Sequence, residues 1–110
     1  MLNGLYGVKF GTPLGSGTGV LYAVNGMVYG GDSGFAYVGP YTTQGTDLTA
    51  SLRLIRHADT MGVLSVFGST GGTIDIRGTV TPDGGTFQGT SPQAPPGVTL
   101  SVTLHRIDTA

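Results

Sequence analysis

The 110-residue chain contains no cysteine, no tryptophan and no glutamate, and only one lysine. Without cysteine there are no disulfides, no thiolate metal sites and no thiol nucleophile. Without glutamate, and with the six aspartates dispersed, the paired carboxylates of a glycoside hydrolase are missing. The two histidines, His57 and His105, stand in no H-x-H or H-x3-H spacing, so neither a metal nor another cofactor is expected. Charge of one sign is also lacking. The formal net charge is −1, and Lys9, Arg53, Arg56, Arg77 and Arg106 are scattered. That balance leaves no electrostatic footprint for nucleic acid or an anionic membrane. No stretch approaches the ~18 apolar residues of a membrane span. The opening "MLNGLYGVKF" has no basic leader pattern, so a soluble cytoplasmic protein is expected.

What the chain has in abundance is glycine, 21 residues, together with threonine and valine, which suit pleated sheet better than helix. Apolar residues recur with period two. Val98, Leu100, Val102 and Leu104 oppose Thr99, Ser101, Thr103 and His105; Leu48, Ala50, Leu52 and Leu54 oppose Thr49, Ser51, Arg53 and Ile55. Ile74, Ile76 and Val80 oppose Asp75, Arg77 and Thr79, while Tyr6, Val8 and Phe10 oppose Lys9. One buried and one wetter face per strand marks antiparallel sheet. Turn signals separate the runs: Asn25-Gly26, "GTPLGSGTG" at 11–19, "TQGTD" at 43–47, "ADTMG" at 58–62, "STGG" at 69–72, "TPDGG" at 81–85 and "TSPQAPPG" at 90–97. About eight strands and no helix follow, in one domain spanning residues 1–110. Glycines inside the runs (Gly7, Gly30, Gly39, Gly68, Gly78, Gly89) favour an up-and-down barrel over a sandwich, because closure needs sharp coiling.

Three stretches invite chemistry. Gly31-Asp32-Ser33-Gly34 matches the tetrapeptide around the nucleophile of chymotrypsin-like proteases. That family needs two barrels, and its histidine precedes the serine, whereas both histidines here follow Ser33. A tight turn accounts for every residue of the tetrapeptide. The glycine-rich segment 11–19 lacks the Lys-Ser/Thr of a phosphate loop and precedes a strand, so it reads as a hairpin connection. The aromatics Tyr6, Phe10, Tyr22, Tyr29, Phe35 and Tyr37 cluster in the first third. Core packing is their simpler reading; the alternative is a lumen lined by Tyr6, Phe10, Tyr22, Tyr29 and Tyr37 around a small apolar ligand. With those tyrosines turned inward, Val28 and Val38 alternate outward. Together with Ile55 they give an apolar outer surface suited to a homodimer.

"NGLYGVKF" followed by "GSGTGVLYAVNGMVYGGDSGFAYVGPY" resembles the GrlR-type negative regulators of type III secretion. The resemblance is carried by Gly4, Tyr6, Phe10, Gly19, Asn25, Gly26, Gly30, Gly31, Asp32, Tyr37 and Gly39. It is strong over the first half of the chain and pattern-level beyond residue 50. It implies a lipocalin-like barrel, a homodimer, and a non-catalytic regulator that binds a transcriptional activator protein through an acidic loop. That loop corresponds to "YTTQGTD" at 41–47, giving Tyr41, Thr42, Gln44 and Asp47 as expected partner-binding residues. Only Asp47 is acidic there, so contact through apolar and hydroxyl groups is expected in place of a negative cluster. The Gly-x-Trp of lipocalins proper is absent.

Overall fold

Asn25 and Gly26 both have positive φ, 51° and 80°, the backbone that a two-residue hairpin turn demands. From this turn the pairing is set: Val24 faces Met27, Ala23 faces Val28, and Tyr22 faces Tyr29. The same logic repeats along the chain. In the computed structural model, which describes residues 1, 3–13, 15–58, 71–92 and 97–109, eight strands follow one another. They are β1 (Gly4–Thr12), β2 (Gly15–Val24), β3 (Met27–Gly31), β4 (Phe35–Gln44), β5 (Asp47–Arg56), β6 (Gly71–Thr81), β7 (Gly84–Thr90) and β8 (Leu100–Thr109).

Each strand pairs antiparallel with the next, and β8 pairs with β1 to close the barrel. Closure leaves no free edge to template aggregation. The β1–β8 register shifts between Leu5, opposite Asp108, and Tyr6, opposite Arg106, so Ile107 is the extra residue of a bulge. The all-β, single up-and-down barrel read from the alternation is the observed fold. No helix of the described residues is long and apolar enough to cross a membrane.

Two local expectations need correction. The segment 11–19 is mostly strand, since β1 runs to Thr12 and β2 begins at Gly15. Gly15, Gly17 and Gly19 fall on the inner face of β2 rather than in a loose loop. The segment 41–47 is likewise strand except at Gly45 and Thr46. Gly68 and the turn signals within 59–70 lie outside the described residues.

The two ends of the barrel are built differently. At one end the connections are Asn25-Gly26, Gly45-Thr46 and Pro82-Asp83. A carbonyl of each turn is clasped by the strand beyond it: Gly26 accepts from Tyr41 N–H (2.9 Å), Thr46 from Val80 N–H (2.7 Å) and Asp83 from Arg106 N–H (2.6 Å). Asn3 reaches across to Asn25, and Arg106 Nη2 donates to the Asn3 carbonyl at 2.8 Å. Beneath this cover Tyr6, Ala23, Val28, Leu48, Phe87 and Leu104 form a buried cluster. At the opposite end lie the turn at 32–34 and, among the described residues outside the strands, residues 13, 57–58, 91–92 and 97–99. There, among the described residues, the buried cluster comprises Ile74 and Leu100, with Phe10, Leu52, Leu54 and Val102 partly buried against it.

Candidate functional site

The alternation that forms the strands also delivers their apolar rows to the lumen. Val8, Leu21, Leu52, Ile74, Leu100 and Val102, among others, surround an internal cavity of about 380 Å³. This lies within the usual size range of small-molecule sites. The described side chains do not fill the barrel. Glycines on the inner face of β2 are one reason. A Cβ at Gly17 would stand 2.8 Å from the Phe10 ring, and one at Gly19 would stand 2.7 Å from the Tyr37 hydroxyl. Bare backbone there lets Phe10 and Tyr37 lean across the lumen, where they meet edge to face with centroids 6.4 Å apart.

A polar lip meets this apolar wall. Asp32 and Ser33 line the same cavity, beside the β2 stretch 15–18, whose Ser16 and Thr18 side chains alternate outward. Asp32 organises the lip. Its Oδ1 accepts the N–H groups of Gly34 and Phe35, each at 2.8 Å. Its Oδ2 accepts the Tyr37 hydroxyl at 2.6 Å, and its own N–H donates to the Phe35 carbonyl at 2.9 Å. Gly31-Asp32-Ser33-Gly34 is therefore an aspartate-stapled turn, as its composition implied. Burial first, and then the hydrogen bond to the Asp32 carboxylate and its charge, push the Tyr37 hydroxyl far above the ordinary tyrosine range. Tyr6 is raised by burial as well, with Arg106 acting against the shift.

The fold also brings His57 to this turn. Its backbone N–H donates to the Gly34 carbonyl at 2.9 Å. Its Nε2–H donates to the Asp32 carbonyl, also at 2.9 Å. A nitrogen that already carries a proton toward a carbonyl does not take one from a serine hydroxyl. The histidine acts as a clasp between β5 and the β3–β4 turn. Arg56, beside it, holds its guanidinium 5.9 Å from the Phe35 ring centroid. Among the described residues, no three of His, Asp or Glu gather in one place where a metal could bind.

Of the residues expected to line the lumen, Phe10 and Tyr37 do so. Tyr6 points inward but is buried in the closed-end cluster rather than at the cavity wall. Tyr22 and Tyr29 are corrections: both point outward, and Tyr29 is 49% exposed. Val28 is the matching correction. It is 4% exposed and faces the lumen, so it cannot belong to an outer dimer surface. The reason lies in β2 and β3, which are apolar on both faces, so alternation carries no sign. The hairpin register decides, pairing Ala23 with Val28 inside and Tyr22 with Tyr29 outside. Val38, paired with Tyr29, faces outward as expected, and Ile55 is 43% exposed.

The expected partner loop is also revised. Tyr41 is a half-buried strand residue that lines the cavity and directs its hydroxyl to the Met1 carbonyl. Thr42, Gln44 and Asp47 are exposed, with Thr42 bonded to Thr49 at 2.9 Å, and they flank a two-residue turn rather than forming a loop. Sequence reasoning missed Asp32 as the organiser of the lip. The Tyr37 hydroxyl reaches Asp32 through the geometry of the turn, which no spacing in the sequence marks.

A scan against protein-family models and a search of curated proteins each return no match for this chain.

Proposed function

We propose that this barrel is a non-catalytic binding protein whose lumen takes up a small apolar molecule. The observation that carries the reading is the apolar cavity of about 380 Å³ left between well-paired strands. At the ~30 Å³ that a small group occupies in a liquid, it holds roughly a dozen non-hydrogen atoms. An empty apolar cavity costs stability, because its lining atoms lose contacts they would otherwise make. A ligand supplies those contacts. Titration with 1-decanol, followed by native mass spectrometry and thermal unfolding, tests this. One bound molecule per barrel and a raised Tm are expected; no binding at any concentration below aggregation contradicts it.

A second reading, regulation through protein–protein contact, is favoured by the outer surface of β2–β4. Tyr22, Tyr29 and Val38 stand in one cross-strand row. Val20, Ala36 and Ile55 stand in the next, spaced by Gly31. Val20 and Tyr29 are each 49% exposed, and none of the six is charged. A two-fold axis through such a surface opposes no like charges, so a homodimer is the simplest occupant. The resemblance to GrlR-type regulators supports a transcriptional regulator protein as a further partner. Sedimentation equilibrium at micromolar concentration checks the dimer: twice the 11.2 kDa chain mass is expected, and a monomer contradicts it.

A further inference from the structure

We propose that the lumen selects its occupant by charge, accepting apolar molecules with a neutral or cationic head and rejecting anions such as fatty-acid carboxylates. The inference rests on the lumen being a ligand site, and it names the ligand's class.

Carboxylate-headed lipids need a cation or several convergent donors at the head position, since an anion taken from water into apolar surroundings without a partner is strongly disfavoured. Among the described residues no cation lies inside. The chain's five Lys and Arg residues and two His all fall among the described residues, and not one lines the cavity. Lys9, Arg53, Arg77 and His105 are exposed. Arg106 is tied to Asn3 at the closed end, His57 points to the Asp32 carbonyl, and Arg56 is exposed over Phe35.

Among the described residues, the charged one that reaches the cavity wall is acidic, Asp32. Its two oxygens provide about four acceptor positions, and Gly34, Phe35 and Tyr37 fill three. Capacity for one further donor remains at the lip. The Tyr37 hydroxyl is no substitute donor for an anion, because its proton is already directed to Asp32 Oδ2. A head group arriving at the lip therefore meets a carboxylate and no cation. An alcohol or an ammonium can donate to Asp32. A second carboxylate is repelled by it, in a setting where water screens less than in bulk.

The test compares three probes with one tail and different heads: 1-decanol, decylammonium and decanoate, titrated by calorimetry at pH 7 into the wild-type protein and Asp32→Asn. Asparagine can still accept from Gly34 and Phe35 through Oδ1, and circular dichroism confirms that the barrel is kept. In the wild type, decanoate is expected to bind at least about tenfold more weakly than decanol, with decylammonium equal to decanol or tighter. In Asp32→Asn the penalty on decanoate shrinks and any preference for decylammonium disappears. The wild-type ratio needs no variant and is decisive alone: decanoate binding as tightly as decanol overturns the inference. Loss of decanoate binding in Arg56→Gln would then assign head recognition to that arginine. An unchanged decanoate penalty in Asp32→Asn overturns the role of Asp32. Failure of all three probes to bind is a different result, and it removes the ligand-site reading itself.

Discussion

The two ends of the barrel use the same strands and the same alternation, yet one is plugged by Tyr6 and Ala23. The cavity occupies the lumen beyond them, reaching Val8, Leu21, Val28, Leu48, Phe87 and Leu104 of the same cluster. At the closed end Ala23 is fully buried and Tyr6 nearly so, within a cluster to which β1, β2, β3, β5, β7 and β8 contribute. Two-residue turns, each with a carbonyl clasped by a neighbouring strand, hold that end. At the other end the inward face of β2 is Gly15, Gly17 and Gly19, and the wall opposite consists of aliphatic residues that face space. The difference shows that period-two patterning specifies a barrel without specifying whether it is full. Side-chain size, layer by layer, decides that.

The largest expected effect separates the ends directly. Tyr6→Ala removes a ring from a packed cluster and should destabilise by about 3–5 kcal/mol in denaturant unfolding. Leu52→Ala, facing the cavity, should cost about 2 kcal/mol or less, since little additional void is created around a side chain that already borders one. Equal costs at the two positions would erase the distinction.

Alkaline unfolding sharpens it. An unfolded tyrosine ionises near pH 10, whereas Tyr37 in the barrel resists ionisation to far higher pH and Tyr6 is raised in the same direction. The stabilisation is complete below pH 10 and is lost progressively as pH climbs above it toward the folded values. Stability should therefore be level between pH 7 and 9 and fall above about 10. Tyr37→Phe, at the cavity end, should flatten the fall more than Tyr6→Phe does.

Filling the cavity should have a smaller effect on the fold. Ala50→Leu adds volume where there is room, so stability should stay within about 1 kcal/mol of wild type, in contrast to the loss that overpacking a tight core causes. Decanol affinity should fall at least tenfold in the same variant. The smallest effect is expected outside: Tyr29→Lys should change monomer stability by no more than about 0.5 kcal/mol while shifting sedimentation toward the monomer.

Much of this fold was legible in the chain. Leu48, Leu52, Ile74, Leu100 and Leu104 alternate with polar neighbours, and all five face inward. Asn25-Gly26 marked a hairpin and makes one. Legibility failed where both strand faces are apolar. In "GVLYAV" the residues Val20, Tyr22 and Val24 look as buriable as Leu21 and Ala23, and only the hairpin register separates them. The cavity was not legible either. It depends on Gly17 and Gly19 lying opposite Phe10 and Tyr37, a pairing across strands that periodicity within one strand does not encode. The lip failed for a related reason: Asp32, Tyr37 and His57 converge through turn geometry and the β4–β5 pairing, not through a spacing that names a site.

On the proposed function, the lumen cavity is the ligand site, and neither the plug at Tyr6 and Ala23 nor the outer surface of β2–β4 is. Intermolecular nuclear Overhauser effects between 1-decanol and the protein's methyl groups test it most directly. Contacts to Leu52, Ile74 and Leu100, with none to Ala23 or Val20, are the predicted result. Contacts confined to Val20 and the outer surface of β2–β4, or no contacts to the lumen methyl groups at saturating decanol, would contradict it.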